Sequence, residues 1–379
     1  MTSRGYTEEY ARRIFKQLEG FGSYGFPESH AASFALLVYV SCWLKYYYPE
    51  VFCAALLNSQ PMGFYQPAQI VRNAREHGVT MLPIDVNLSQ WDNTLEAKQG
   101  QYFSHRLGLR EINGIKQEEM AKLLQGRKKY PNETYTAPHQ LCDAGVTVAT
   151  MEKLANADAF RSMGLDRRKA LWEVAALHDR PVQLLQGQPS ESRHEPDPQL
   201  PELKLSEHVV QDYATIGLSI KGHPLSFIRH QLEMLHIKTA AAANQTENKK
   251  LIKTAGLILI RQRPGTAKGV CFITLEDETG TTNLVVFPKL FDKYRKEILH
   301  ARLLMVEGVV EQTQVTHIIV KRVFDITKLL GNLTAIRNDQ QPVLTLSRAD
   351  EKAAPFIPME KPLKTQQPED VIHKGRNFK

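Results

Sequence analysis

Two glycine-centred phrases have the residue types and spacing to grip a phosphate. In Leu109-Arg-Glu-Ile-Asn-Gly-Ile115 an apolar-x-x-apolar-x-Gly-apolar pattern precedes a predicted helix over residues 117–124. The glycine lets the chain turn tightly, and the unpaired N–H groups that open the next helix are donors for a phosphate oxygen. Such a contact fixes position on a nucleic-acid backbone and reads no bases. This is a helix-hairpin-helix pattern in which Lys116 replaces the usual second glycine, so an ammonium stands beside Gly114. A second copy is predicted from a helix over 152–160, a turn at Gly164-Leu165, and a helix opened by Arg167, Arg168 and Lys169. Cations there oppose the helix macrodipole, an arrangement that a bound anion would relieve. The competing reading is a plain helical hairpin with exposed arginines.

Positive charge concentrates in two places. Residues 104–130 hold Arg106, Arg110, Lys116, Lys122, Arg127, Lys128 and Lys129 against Glu111, Glu118 and Glu119. Residues 249–328 hold 14 basic and 8 acidic residues, which accounts for nearly all of the chain's net +7. In that second region cations and aromatics mix: Arg261, Arg263, Lys268, Phe272, Phe287, Lys321 and Arg322. Cations with stacking aromatics are the chemistry of single-strand binding. Filling of a barrel by Phe272 and Phe287 is the alternative.

Other chemistries find no support. Two-metal catalysis needs clustered carboxylates, and no Asp-x-Asp pair falls on a predicted strand; Asp85 stands alone, and Glu276-Asp277-Glu278 reads as a solvated hairpin. No Walker loop, G-x-S-x-G or H-E-x-x-H occurs. Cys42, Cys53, Cys142 and Cys271 show neither disulfide nor zinc spacing, so a reducing, cytoplasmic setting is expected. The apolar run 31–44 is shorter than the about 20 residues that a membrane span needs, and the N-terminus lacks a signal-peptide core. No membrane partner is expected.

These elements must be positioned by a multidomain α+β chain, as its 379 residues allow. Residues 1–100 read as helical, with helices over 8–18, 30–47, 51–57 and 69–77. Gly20, Gly22 and Gly25 are expected to end the first helix, Ser29 to cap the second, and the second to be buried, being apolar on most faces. Residues 101–180 form the hairpin repeats. Residues 181–248 are a proline-rich linker followed by a helical connector. Over 249–328 the period changes to five predicted strands (251–260, 270–275, 283–287, 303–312 and 316–324), with a helix over 288–300 between the third and fourth. That order is the one of a five-stranded OB-fold β-barrel. Residues 329–379 are expected to be a loosely ordered tail.

One stretch carries a family resemblance. GFGSYGFPESHAASFALLVYVSCWLKYYYPEVFCAALLNSQPMGFY, residues 20–65, resembles the fingers region of bacterial C-family DNA polymerase III alpha-like proteins. The Pro-Glu-Ser-His form, the Asn-Ser-Gln-Pro-Met-Gly-Phe-Tyr phrase, ADAFRSMGLDRRKALWEV, DYATIGLSIKGHP and the closing GRNFK resemble the error-prone, translesion branch. In that family the fingers follow a PHP domain and a palm that holds Mg²⁺ on aspartates. The resemblance therefore implies a C-terminal portion that binds no metal itself, and Mg²⁺ only for the complete enzyme.

By the same resemblance Ser29 and His30 would face the nascent base pair and incoming deoxynucleotide, with Lys45, Arg12 and Arg13 near phosphates. Gly114, Lys116, Gly164, Arg167 and Arg168 would hold primer-template duplex, and the barrel the single-stranded template; Arg110 and Lys169 are further DNA-binding candidates from their charge and place in the hairpins. Replicative relatives carry a sliding-clamp motif of Gln-x-x-Leu-Phe type; Gln183-Leu-Leu here lacks the aromatic, so no direct clamp contact is expected. The tail after Gly331 would meet a Y-family-like accessory protein. Two other readings stay open: a non-enzymatic nucleic-acid-binding protein using the same hairpins and barrel, and an anticodon-binding OB module, which leaves the hairpins unexplained.

Overall fold

The computed structural model describes residues 2–24, 28–62, 65–177, 200–313, 315–335 and 376–378. The chain divides into two compact units, Met1–Met81 with Thr94–His105, and Leu82–Asn93 with Arg106–Lys379. The division is interleaved, with residues 94–105 grouped with the first unit. Residues 82–93 go with the hairpin repeats because Val86 N–H donates to Ala159 O and Asp85 accepts from Ser162.

The first unit contains α1 (Glu8–Tyr24), α2 (Glu28–Tyr47), α3 (Pro49–Asn58) and α4 (Pro67–Glu76). A small sheet follows, β1 (Met81–Leu82), β2 (Thr94–Gln99) and β3 (Tyr102–Arg106), in the order β1-β3-β2. Three expectations are corrected here. Helix α1 runs through Gly20 and Gly22, since a helical glycine costs only about 1 kcal/mol and is no absolute stop. Ser29 lies inside the first turn of α2 and does not cap it. Helix α2 is not buried: Leu36, Leu37, Val38 and Trp43 are exposed, and Tyr39 is 70% exposed. All-round apolarity signals a need for cover and is silent about what supplies it. Helices α3 and α4 do bury a face, through Cys53 and Leu57 and through Ile70, Val71 and Ala74. Pro49 and Pro67 open them at positions where no N–H is needed.

The second unit begins with the hairpin helices α5 (Gln117–Arg127), α6 (His139–Asp143), α7 (Val148–Asn156) and α8 (Arg167–Ala175). The connector follows as α9 (Leu205–Ile216), α10 (Arg229–Met234) and α11 (Ala240–Asn244). The barrel strands are β4 (Leu251–Gln262), β5 (Cys271–Asp277), β6 (Gly280–Val286), β7 (Leu303–Gln312) and β8 (Thr316–Asp325), with α12 (Pro288–Lys293) and α13 (Arg295–His300) between β6 and β7. The predicted single helix over 288–300 is thus two, meeting at Tyr294. The strand order is β5-β6-β8-β7-β4, and β4 also pairs with β5, which closes the barrel. Among these five strands all pairings are antiparallel except β6 with β8. This is the OB-fold.

Alternation along the strands fills the barrel with Ile258, Ile273, Leu284, Val306 and Ile318, and Phe291 and Ile298 of α12 and α13 join this core. A second core lies between connector and barrel: Val210, Leu225, Ile228 and Leu232 pack with Leu257, Leu303 and Leu330. The connector is thus docked onto the barrel. The acidic phrase is part of that docking and not a solvated hairpin, because Asp277 is 2% exposed. It accepts from the Ala240 N–H (2.7 Å), the Thr279 hydroxyl (2.7 Å) and Arg229 (3.1 Å), while Glu278 takes the Arg229 Nε at 2.5 Å.

Parts of the expected loose tail have definite structure. Residues 327–331 form a 3-10 turn, α14 (Asn332–Ala335) receives a bond from Ser206 at Leu333 O, and β9 (Arg376–Phe378) pairs with β4. Residues 336–375 and the proline-rich stretch 178–199, with Gln183, lie outside the described residues.

Candidate nucleic-acid interface

The first hairpin turns at Gly114, whose φ of +72° lies in the left-handed region where a Cβ is strained. Gly114 and Lys116 are exposed, and Lys116 immediately precedes α5, whose N-terminus carries no side-chain cap. Lys153, exposed on α7, donates its ammonium to Gly114 O at 2.6 Å. Sequence reading missed Lys153 because 39 residues separate the pair. Arg110 sits on the turn before Gly114, paired with Asp92 at 2.7 Å. A further turn, between α6 and α7, was also missed; Gly145-Val146 there repeats the Gly-apolar signal of Gly114-Ile115. Glu119 of α5 accepts from Thr147 N–H in that turn at 3.1 Å and from Lys122 at 2.7 Å. These bonds, Lys122 foremost, hold its carboxyl below the usual range.

The second hairpin turns at Gly164 (φ +75°) as predicted, yet its cations face differently. Arg167 is 1% exposed and bonded to Asp212 of α9 at 2.5 Å and to His208 O at 3.1 Å. The anion inferred at this helix start is therefore internal. Asp166 caps α8 by accepting from Lys169 N–H at 2.8 Å, and Arg168 donates to Pro201 O at 2.5 Å. Lys221 joins the cluster, 3.0 Å from both Asp212 and Asp158. Burial alone would raise the Asp158 carboxyl, but Arg161, Lys221 and Arg167 hold it below its ordinary value. Burial, Arg167 and Lys221 together push the His208 imidazole down. Arg167 is thus taken up by partners inside the fold, where it joins the hairpin to the connector. Of the basic stretch 104–130, Arg106 and Arg127 are buried too, donating to Pro83 O and Ser89 O.

On the barrel, register assembles most of the predicted set. Gln262 pairs with Phe272, Phe272 with Val285, and Val285 with Ile319, giving one row across β4, β5, β6 and β8. Two residues beyond the parallel pair Val285–Ile319 come Phe287 and Lys321. Phe272 is 37% exposed and Phe287 50% exposed, so neither fills the barrel. Lys321 is the extra residue of a bulge where the β7–β8 register shifts, and it is exposed. The loop from β4 to β5 carries exposed Arg263 and Lys268; the Arg263 guanidinium lies 4.5 Å from the Phe291 ring centre and donates to Gly269 O. Arg322 lies 3.6 Å from Glu307, which Lys253 also approaches. Arg261 differs from the rest of the set: it is 4% exposed and donates to Ala301 O.

In the first unit Ser29 and His30 lie in the first turn of α2, with side chains outside the described ones. Lys45 is half-buried in the last turn of α2, and Arg12 pairs with Glu8 at 2.8 Å. Among the described residues no group of three or more His, Cys, Asp or Glu is gathered to hold a metal, and no helix is long and apolar enough to cross a membrane.

A family model described as a helix-hairpin-helix motif matches residues 78–170, and one described as an OB-fold nucleic acid binding domain matches residues 252–326. The chain is 46% identical over 359 residues to an error-prone DNA polymerase of Sinorhizobium medicae, covering 88% of this chain and 32% of that protein. For error-prone DNA polymerases of Brucella melitensis and Rhizobium meliloti the values are 48% over 329 residues and 42% over 421, covering 86% and 100% of this chain. The chain is a homologue of part of the error-prone DNA polymerases. It spans 30% and 37% of the length of those two relatives. An asparaginyl-tRNA synthetase from Pyrococcus horikoshii is similar over 24% of this chain and 23% of its own, at 20% identity and a TM-score of 0.22. The likeness to error-prone polymerases runs through both matched regions, so hairpin repeats and barrel belong to one nucleic-acid-binding portion.

Proposed function

We propose that this chain is the DNA-gripping portion of an error-prone polymerase that works in damage-induced translesion synthesis in the cytoplasm. The first hairpin, through Gly114, Lys116 and Lys153, holds the backbone of primer-template duplex. The barrel face of Phe272, Phe287, Lys321, Arg263 and Lys268 holds the single-stranded template. The observation that carries this reading is the exposure of Phe272 and, two residues past its cross-strand partner Val285, of Phe287, with exposed cations nearby, the combination that single-strand binding uses. Binding is steeply salt-dependent and nearly blind to sequence.

Asp85, Asp158, Asp212 and Asp277 accept from internal donors, and among the described residues no three or more His, Cys, Asp or Glu gather to hold a metal. On this reading nucleotide addition, the incoming deoxynucleotide and Mg²⁺ belong to the complete enzyme, and an accessory protein of Y-family type would contact the tail. The test is fluorescence anisotropy with a recessed-end duplex at low salt. Binding is expected, and absence of binding would overturn the reading. Primer extension by the purified chain with Mg²⁺ and four deoxynucleotides is expected to yield no product; robust extension would refute the assignment of chemistry elsewhere. The alternative, a non-enzymatic binding protein, predicts the same binding; an upstream reading frame for a PHP domain and palm favours the first reading.

A further inference from the structure

The outer face of the barrel carries a second row of side chains, two residues along the strands from Phe272. Thr274 of β5 pairs with Asn283 of β6, Asn283 with His317 of β8, and His317 with Glu311 of β7. Between the two rows Ile273, Leu284 and Ile318 belong to the barrel core. Alternation therefore puts Thr274, Asn283 and His317 on the same face as Phe272, Val285 and Ile319. Two residues of strand set the rows about 7 Å apart, within reach of a base that lies on the Phe272 ring.

Hydrogen bonding fixes what this row offers. The Asn283 amide oxygen accepts from the Thr274 hydroxyl at 3.1 Å, which leaves the amide NH₂ to donate. His317 Nδ1 lies 2.9 Å from Val315 O. A carbonyl only accepts, so Nδ1 carries the hydrogen and Nε2 of the neutral ring is an acceptor. A donor and an acceptor thus stand on neighbouring strands, whose spacing is about 4.8 Å. Both side chains are half-buried. The row ends at exposed Glu311, whose charge repels a phosphate, so the row suits the uncharged part of a nucleotide. Each of the four DNA bases has a donor beside an acceptor on its Watson–Crick edge, the edge that unstacked bases offer to proteins. A base stacks by either face, so the order of the two groups can be matched for all four.

We propose that Asn283 and His317 hold the Watson–Crick edge of a template base stacked at Phe272. Asn283 donates to the acceptor of the base, and His317 Nε2 accepts from its donor. Any of the four bases satisfies this contact, and a base whose edge is blocked loses it. This rests on the reading of the barrel as a single-strand binder.

The test titrates the full chain with labelled oligothymidylate, oligodeoxycytidylate and an oligomer of N3-methylthymidine, in which a methyl group replaces the donor hydrogen. The unaltered chain is expected to bind the methylated oligomer about five-fold more weakly than oligothymidylate, the loss of about one net hydrogen bond. Asn283→Ala and His317→Ala are each expected to weaken binding of both unmodified oligomers by about five-fold, with melting unchanged. His317→Ala is also expected to close the gap between oligothymidylate and its methylated form. Equal binding of those two by the unaltered chain overturns the proposal, and that comparison needs no variant to fold. A loss confined to one unmodified oligomer, or a gap that persists in His317→Ala, overturns it too. Failure of the unaltered chain to bind oligothymidylate is a distinct outcome that removes the barrel reading and this inference with it.

Discussion

Arg167 and Asp212 form an ion pair at 2.5 Å with side chains 1% and 4% exposed, joining α8 to α9 across 45 residues of sequence. Asp212→Ala would leave a guanidinium buried without its partner, beside Lys221. Removing one member of a buried pair costs about 3–5 kcal/mol. Urea unfolding is expected to show a loss of that size. A loss below about 1 kcal/mol would show that the pair is not structural.

The relation also shows where sequence is legible. The turn at Gly164 could be read from local types, as could the order of the barrel strands, because period and turn chemistry are local properties. The fate of Arg167 could not, since Asp212 lies in another element and nothing in RSMGLDRRK marks it. Arg261 is a similar case: alternation on β4 is blurred by the irregular register between Ile258 and Ile260, so its inward position is invisible beforehand. Phe272 and Phe287 were readable as candidates but not as exposed residues, because both faces of the strands carry apolar side chains.

Lys116 and Arg167 were equivalent candidates, but Lys116 is exposed and Arg167 is buried. Lys116→Glu is expected to weaken duplex binding alike for all sequences and to lower the salt slope by about 1 or more, with melting unchanged. Arg167→Gln is expected to lower melting first. Titrations paired with melting curves decide; equal binding loss in both at unchanged stability would restore the second hairpin as a contact.

Phe272→Ala and Phe287→Ala should each reduce single-strand affinity by about 1–3 kcal/mol if a base stacks on each ring. Both rings are substantially exposed, so folding should tolerate the changes. Duplex binding through the first hairpin should be spared. Anisotropy on single-stranded and duplex probes in parallel would check the split.

His105 is fully buried in the first unit, and burial pushes its imidazole down to about 4, against a weaker upward pull from its bond with the Glu50 backbone. The folded chain keeps it neutral while the unfolded chain protonates it below about 6.5. Stability from this group is thus whole above that pH and declines as pH falls towards 4, by up to about 3 kcal/mol. His105→Gln should flatten the decline of melting temperature between pH 6.5 and 4.5. An identical pH profile in the variant would show that other groups govern acid sensitivity.

The connector is clasped by charge at both ends, by Arg167 with Asp212 towards the hairpins and by Arg229 with Asp277 and Glu278 towards the barrel. Such clasps transmit force instead of yielding as a slack tether would. If hairpin and barrel grip DNA as proposed, two grips held this way would behave as the jaws of a caliper, and the number of nucleotides between them would be a fixed gauge of the molecule.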